Sequence, residues 1–167
     1  MNTLENVKQW FIDRDLENGG RLDKQSLKLS EEFGELCAGY LKKNEQLTKA
    51  SIGDCAVVIV GLALLVKEDV QEIFDDSIMI LKEDVPDYFK DLNKHISCFQ
   101  RFYSWEETSM SKMYLSFSID SLKTLSTALG YDFEECFELA YNEIKDRKGK
   151  WIDGTFVREE DLHDTKI

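Results

Sequence analysis

The sequence predicts an all-α helical bundle with extra helices inserted and a small C-terminal β-hairpin. Only one proline, Pro86, occurs in 167 residues, and few glycine-rich turns precede the C-terminal region, which favours long helices over a many-stranded sheet. An apolar stripe at helical spacing runs through residues 29–40 and is typical of a helix that faces a core. The hairpin is indicated by Asp153 and Gly154, which stand between apolar pairs as a two-residue hairpin turn does.

Apolar periodicity and turn residues place the first three helices. The first is predicted over about residues 4–16, before the polar loop 17–20, whose glycines supply the left-handed conformations that end helices. The second is predicted over 23–43. The third is predicted over 46–67 and carries an uncharged run of twelve residues, 55–66, which is short of the roughly 20 needed to cross a bilayer. We therefore expect a buried core helix and no membrane partner.

Residues that favour helix starts place the remaining elements. Asp69 is expected to cap a stretch to about residue 82, and Pro86 suits the first turn of a helix that continues to about 103.

Two patterns of the capping-box type follow. The pattern over residues 104–107 predicts a helix that ends near 130, and the pattern over 132–135 predicts a last helix that frays at Gly149. The hairpin is expected over about 150–158, followed by a polar tail. The length of the chain is that of one domain.

Composition and charge exclude several classes of function. The formal net charge is −12, so most of the surface repels a polyanion, which argues against a nucleic-acid polymer as partner. The four cysteines are far apart with no CxxC pair and are expected to be reduced thiols. The N-terminus has no basic segment followed by an apolar one, so we expect a cytoplasmic protein.

A polar column borders the apolar stripe of the second helix. Gln25, Lys28, Glu32 and Glu35 follow one another at spacings of three or four residues, so two carboxylates stand a turn apart beside the buried face. Two carboxylates in this arrangement can share a cation. The alternative is that they are solvated charges on the flank of an amphipathic helix.

Asp54 adds a third carboxylate, at the head of the uncharged run of the third helix, where an unpaired charge is costly to bury. If the second and third helices pair antiparallel, Asp54 meets Glu32 and Glu35 in an all-oxygen cluster suited to Mg²⁺, with Mn²⁺ as a substitute. The alternative partners are the backbone of a helix N-terminus or a lysine.

A basic segment at the end of the last helix predicts a local anion site. Lys145, Arg147 and Lys148 lie close together in an otherwise acidic chain. On a continued helix Asn142 and Lys145 share a face, while Arg147 points elsewhere unless the helix has frayed. The alternative is that these residues only follow the preference of basic side chains for helix C-termini.

Four segments resemble the MazG-like, all-α nucleoside triphosphate pyrophosphohydrolase superfamily, especially its short phage-type members. With the hairpin they cover about half of the chain. The segments are Trp10 with Asp13-Arg14-x-Leu16, then Gln25-x-x-Lys28-Leu29-x-Glu31-Glu32-x-Gly34-Glu35-Leu36, then Ile52-Gly53-Asp54, and finally Ala140-Tyr141-Asn142-Glu143-Ile144-Lys145-Asp146-Arg147-Lys148-Gly149-Lys150.

The resemblance implies a helical bundle, assembled as a homodimer or homotetramer, in which an EExxE helix and a following ExxD helix bind Mg²⁺. The matching positions are Glu31, Glu32, Glu35 and Asp54. Ser51 stands in place of the first acid of ExxD, so a water held by Ser51, or another acid, would have to replace that carboxylate.

A second departure from the family is the stretch 67–130, which exceeds the connection in a minimal member. We expect this insert to add core or an oligomer interface, with a lid over the nucleotide base as the alternative.

The resemblance and the residue pattern together predict hydrolysis of a (deoxy)nucleoside triphosphate to a monophosphate and pyrophosphate. Mg²⁺ held by Glu32, Glu35 and Asp54 would neutralise developing charge and lower the pKa of an attacking water. Glu31 is the candidate base, and Glu32 is the alternative for orienting the water. The expected substrate-binding residues are Trp10 and Arg14 at the base, Lys28, Asn142, Lys145 and Lys148 at the phosphates, and Gln25 and Arg147 beside them.

Three alternatives remain open. Trp10 could instead pack the first helix onto the bundle. The chain could be a catalytically silent nucleotide-binding or protein-interaction module on the same fold, because of the missing acid at Ser51. A ferritin-like di-iron protein needs two ExxH pairs, whereas only residues 160–163 fit; His95 and His163 are the only histidines.

Overall fold

The protein is a bundle of α-helices with a small antiparallel hairpin, as the sequence predicts. The computed structural model describes residues 2–75, 81–103 and 108–162, apart from the side chains of residues 108 and 109. The eight α-helices of the described part are α1 Thr3–Asp13, α2 Leu16–Gly19, α3 Leu22–Leu41, α4 Glu45–Leu65, α5 Val70–Asp75, α6 Val85–Phe102, α7 Thr108–Ala128 and α8 Phe133–Ile144. The strands are β1 Gly149–Ile152 and β2 Thr155–Arg158, and a 3-10 helix covers Glu159–Asp161.

Several predicted helix starts are confirmed by their caps. The Asp69 carboxylate accepts a hydrogen bond from the backbone N–H of Glu72 at 3.1 Å, and that of Asp132 accepts one from Glu135 at 2.9 Å. Pro86 lies in the first turn of α6. The capping pattern expected over 104–107 lies outside the described residues.

Three predicted helix ends are wrong. The helix expected from Asp69 to about residue 82 does not reach that residue, because residues 81 and 82 are not helical, and residues 76–80 lie outside the described part of the chain. The first helix ends at Asp13, not near residue 16, because Asp15 adopts a left-handed conformation with φ 56° and a separate short helix, α2, follows. The last helix ends at Ile144, not near Gly149. The Arg14 guanidinium donates to the carbonyl oxygen of Arg147 at 2.8 Å, which satisfies a backbone group beyond the helix end.

The core is centred on α4. Its residues Ile52, Ile59 and Leu62 are fully buried, and it packs against α3, α8, α1 and α7. Among the described residues α4 is the one helix long and apolar enough to cross a membrane, but 72% of its apolar stretch is buried inside the fold. This confirms the prediction of a core helix and fits a soluble protein.

Glycine allows the closest helix contact. A Cβ added at Gly53 of α4 would lie only 2.1 Å from the backbone oxygen of Cys136 on α8, so α8 touches the α4 backbone directly. Gly39 of α3 lies against Thr48 of α4 in a similar way, because a Cβ added at Gly39 would lie 2.8 Å from the Thr48 hydroxyl oxygen. These contacts hold the helices that carry the predicted site residues.

The insert builds additional core. Helices α6 and α7 pack mainly against each other, and α7 also packs against α4 and α5. Leu92, Phe99, Leu115 and Ile119 are fully buried there. The expectation that the insert enlarges the core is therefore confirmed.

The hairpin has the predicted Asp-Gly turn. Asp153 and Gly154 have φ values of 48° and 79°, which are the left-handed conformations of a type I′ turn. The pairing places Trp151 opposite Phe156 and Gly149 opposite Arg158. Arg158 is the last residue of β2, in agreement with the predicted end of the hairpin.

The hairpin is fastened to the N-terminal helices. The Trp151 indole N–H donates to the carbonyl oxygen of Arg14 at 2.6 Å, and the Arg21 backbone N–H donates to that of Gly154 at 3.2 Å. The Trp151 ring lies against Gly19, where an added Cβ would overlap it. The hairpin therefore closes one side of the region where α1, α3 and α8 meet.

Candidate functional site

A narrow cleft of about 110 Å³ brings together many of the predicted site residues. Its walls come from five places: α1, α3, α4, the end of α8 and the hairpin. The lining residues are Trp10, Phe11, Gln25, Lys28, Glu32, Asp54, Val57, Val58, Ile144, Arg147, Trp151, Thr155 and Phe156.

Two carboxylates share this cleft. Glu32 is 7% exposed, and burial raises its pKa, with Lys28 acting in the opposite direction. Burial, followed by repulsion from Glu32 and Glu143, raises the pKa of Asp54 to about 7. Each carboxylate therefore lies where a negative charge is unfavourable unless a cation is near. This is the electrostatic property expected of an acidic site that binds a cation.

Lys28 and Arg147 are the two cations that line the cleft, and Lys28 is the one paired with its carboxylates. Its Nζ lies 2.7 Å from Glu32 Oε1 and 2.9 Å from Glu31 Oε2. Burial lowers the pKa of Lys28, but the hydrogen bonds to Glu31 and Glu32 outweigh this effect and leave the pKa raised. Lys28 therefore stays charged and neutralises part of the acidic cluster.

The predicted three-acid cluster is only partly assembled. Glu31 and Glu35 are exposed, and neither lines the cleft. Across the described ranges, no three acidic, histidine or cysteine side chains lie together closely enough to hold a metal ion. Glu32 and Asp54 still fit Mg²⁺, because this ion is commonly held by one or two carboxylates together with substrate phosphates.

Ser51, which replaces the expected acid, is fully buried, and its hydroxyl has no hydrogen-bond partner among the described residues. It lies one helical turn before Asp54. Sequence analysis missed another acid, Glu143 of α8, whose negative charge contributes to the raised pKa of Asp54. The acidic field at Asp54 therefore comes from α3 and α8.

Trp10 and Arg14 have structural partners. Trp10 is 7% exposed, and its indole N–H donates to the carbonyl oxygen of Ile144 at 2.8 Å. The Arg14 guanidinium stacks over the Trp10 ring at 4.2 Å and does not line the cleft. The packing alternative is thus realised for Trp10, although its ring also forms part of the cleft wall.

The hairpin supplies aromatic side chains that sequence analysis did not assign to the site. The Phe156 ring lies 5.3 Å from both the Trp10 and the Trp151 rings, edge to face. Thr155 lines the cleft beside them. The alternation of side chains along a strand could have placed Trp151 and Phe156 together, but only once the pairing of the strands was known.

The residues of the basic segment point to different places, because the segment begins where α8 ends. Arg147 lines the cleft, and with Asn142 and Lys148 it also lines a second cavity of about 700 Å³. Lys145 is exposed, donates to the Asn142 side chain at 3.0 Å, and lines neither space. The helix stops at Ile144, so the continued helix expected as far as Gly149 does not form and Arg147 lies beyond the helix end.

Gln25 is buried in the cleft wall, and its side-chain amide lies 3.5 Å from the carbonyl oxygen of Gly154. It therefore connects α3 to the hairpin turn. Among the described residues, none from the insert 67–130 lines the cleft, so the structure gives the alternative of a lid no support.

Comparison with known proteins gives one similarity to an uncharacterised phage protein. The chain is 50% identical over 60 residues to the "Uncharacterized 18.2 kDa protein in rep-hol intergenic region" of Haemophilus phage HP1 (strain HP1c1). The match covers 36% of this chain and 37% of that protein. No family model matches the chain, and no solved structure matches it.

Proposed function

We propose that this protein is a cytoplasmic, Mg²⁺-dependent nucleotide pyrophosphohydrolase of the MazG-like type, which cleaves a (deoxy)nucleoside triphosphate to the monophosphate and pyrophosphate. The observation that carries the proposal is the pairing of Glu32 with Asp54 in a cleft that also holds Lys28 and Arg147. Buried carboxylates next to fixed cations are what a site for a metal and a phosphate chain requires.

Glu32 and Asp54 would hold Mg²⁺, with Mn²⁺ as a substitute. When bound there, the ion neutralises charge on the phosphates and on the leaving group. Lys28 and Arg147 line the cleft together with the acids and would add positive charge at the phosphates. Asn142 and Lys148 extend this surface into the larger cavity.

Glu32 is better placed than Glu31 to serve as the base. Lys28 binds Oε1 of Glu32; if Mg²⁺ were held through that same oxygen, the second carboxylate oxygen would be left to accept a proton from water. Attack of the water on the α-phosphorus forms the new P–O bond and breaks the bond to the bridging oxygen, and pyrophosphate leaves. The water proton passes to the carboxylate.

Glu32→Gln and Glu31→Gln form a matched pair of variants, because the residues are adjacent and only Glu32 lines the cleft. We expect Glu32→Gln to reduce Mg²⁺-dependent pyrophosphate release by about 100-fold or more, and Glu31→Gln to reduce it by less than about tenfold, since it removes one ion pair of Lys28. A product-resolved assay over the common triphosphates measures both. A Glu32→Gln protein with full turnover would remove Glu32 from the mechanism.

A catalytically silent nucleotide-binding or protein-interaction module is the second candidate. One observation favours it: the described residues contain no group of three potential metal ligands. Nucleotide binding in a calorimeter without any monophosphate or pyrophosphate product, with Mg²⁺ and with Mn²⁺, would support this candidate and refute the enzyme.

We also propose a homodimer or homotetramer. The resemblance to the MazG-like superfamily supports this proposal, and Leu27 and Leu41 of α3, which are 66% and 77% exposed, are side chains that an interface on α3 would cover. Light scattering after size exclusion measures the mass, and a monomer at all concentrations would contradict this part of the proposal.

A further inference from the structure

The larger cavity contains a cation that the proposed mechanism does not use. The cavity lies where the end of α8 meets the end of β2, and it shares Arg147 with the cleft. Arg158 of β2 lines it from the hairpin side. The other lining residues are Asn142, Glu143, Asp146, Lys148, Glu159 and Glu160.

The strand pairing directs Arg158 toward this cavity. Side chains alternate between the two faces of a strand, and directly paired residues share a face. The pairs Trp151–Phe156 and Gly149–Arg158 are two residues apart, so Arg158 lies on the face that carries the aromatic pair. Its partner Gly149 has no side chain, so no side chain at the opposite position covers the guanidinium.

Two guanidinium groups therefore lie on one cavity. Burial lowers the pKa of Arg147, and the charge of Arg158 lowers it further, which indicates that the two groups are close. The charges of Asp54, Glu143 and Glu32 raise the pKa of Arg147, so carboxylates already offset part of this repulsion. An anion bound between the two guanidinium groups would offset more of it. Arg158 also lies 3.5 Å from Glu160 in an exposed ion pair, which is worth little and leaves the guanidinium able to bind a stronger partner.

Arg147 cannot easily move away from Arg158. Its carbonyl oxygen accepts hydrogen bonds from Arg14 at 2.8 and 3.3 Å, and the carbonyl oxygen of Lys148 accepts one from the Glu159 N–H at 2.9 Å. These bonds tie the segment after α8 to α1 on one side and to the end of β2 on the other. The backbones that carry both arginines are thus fixed relative to each other.

We propose that Arg147 and Arg158 together bind the pyrophosphate portion of the substrate, and the free pyrophosphate product, in this cavity. Guanidinium groups bind phosphate through paired hydrogen bonds, which suits a ligand with several phosphate oxygens. The position next to the cleft places the leaving group beyond the scissile bond. The term substrate rests on the proposed function, but binding of inorganic pyrophosphate itself requires no hydrolysis.

The test is calorimetric titration of the full chain with inorganic pyrophosphate, with and without Mg²⁺. Mg²⁺ is included because the cavity wall also carries carboxylates, which disfavour a fully charged ligand. Arg158→Gln is expected to weaken binding by about tenfold or more, the loss typical of one charge-assisted contact. Arg158→Lys should lie between the wild type and Arg158→Gln, since it keeps the charge but not the paired geometry.

Lys150→Gln is the matched control. Lys150 is exposed and lies on the opposite face of the same hairpin, paired with Val157, and the change removes the same charge. The affinity of Lys150→Gln for pyrophosphate should stay within about twofold of the wild type, because Lys150 does not line the cavity and an exposed charge that does not contact the ligand contributes little.

Equal affinities of Arg158→Gln and Lys150→Gln would overturn the proposal, and so would a wild-type protein that binds no pyrophosphate. Arg158-dependent binding in a protein that hydrolyses no triphosphate would support the proposal and refute the proposed function. Triphosphate hydrolysis together with an unchanged affinity of Arg158→Gln would do the reverse.

Discussion

Replacement of Asp54 by asparagine is expected to stabilise the metal-free protein above neutral pH and to remove its response to Mg²⁺. Burial and repulsion by Glu32 and Glu143 raise the pKa of Asp54 from the ordinary 3.8 to about 7. An acid whose pKa is raised by folding binds its proton more tightly in the folded state. The folded state therefore loses stability as the pH rises from the unfolded value toward 7, and the loss stays constant above 7. Asparagine has nearly the same shape and carries no charge.

The size of the effect follows from the shift in pKa. A shift of about three units corresponds to a loss of at most ~4 kcal/mol above pH 7. Asp54 keeps some contact with solvent, so we expect the free energy of unfolding of Asp54→Asn at pH 8 to exceed that of the wild type by about 2–4 kcal/mol. For a chain of this size, the gain raises the melting temperature by roughly 4–16 °C.

Urea denaturation in the presence of a chelator, at pH 5.5 and at pH 8, measures this gain. The stability difference between Asp54→Asn and the wild type should widen by about 1–2 kcal/mol between the two pH values. Glu138→Gln, an exposed change on α8 that removes the same charge, should show no such widening. Millimolar Mg²⁺ at pH 8 should stabilise the wild type and not Asp54→Asn. An Asp54→Asn protein no more stable than the wild type at pH 8 would refute the electrostatic account of the cleft.

Three further predictions concern packing and pH. Gly53→Ala should lower the free energy of unfolding by about 1–3 kcal/mol, because the added Cβ would overlap the backbone of α8. Gly34→Ala, with open space around it, should raise the free energy of unfolding by about 0.5–1 kcal/mol. Equal thermal stabilities of the two variants would contradict the packing argument. Gly19→Ala should displace the Trp151 ring, because the added Cβ would overlap it. We therefore expect a shift of the tryptophan emission maximum and slower pyrophosphate release. An unchanged emission maximum would argue against the contact. Burial lowers the pKa of His95, so its contribution to stability is present above about pH 6.5 and is lost as the pH falls. In urea denaturation, His95→Gln should therefore flatten the decline of the free energy of unfolding below that pH. An unchanged slope would remove His95 as a cause of the decline.

The helical architecture was predictable because its causes are local. Asp69 and Asp132 cap helices whatever the tertiary structure around them, and the apolar run 55–66 is buried in any soluble fold of this chain. The Asp-Gly turn likewise specifies its own hairpin. The errors lie at helix ends, because tertiary contacts determine where a helix stops. The sequence around Ile144 does not reveal that Arg14 will donate a hydrogen bond to the backbone carbonyl oxygen of Arg147, beyond the end of α8.

The candidate site was predictable in part, for the same reason. The positions of Glu32 and Asp54 follow from helix periodicity and from an antiparallel pair of helices. Arg147 lines the cleft because α8 ends early, and Glu143 and Arg158 reach the site through contacts between distant segments. Glu35 was assigned from its spacing and from the EExxE resemblance, yet it is exposed on α3, because a helix that packs along one stripe turns neighbouring positions to solvent. The metal, the triphosphate and the oligomer stay predictions.

The position of Trp10 against Ile144, 134 positions later in the chain, has a consequence for the order of folding. Neighbouring helices such as α3 and α4 can associate after closing only a short loop, whereas docking of α1 onto the end of α8 must close a loop through most of the polypeptide. We therefore expect the helical core to form first and the cleft to be completed last. Stopped-flow refolding would show this as nucleotide affinity that recovers after helical circular dichroism has reached its final value.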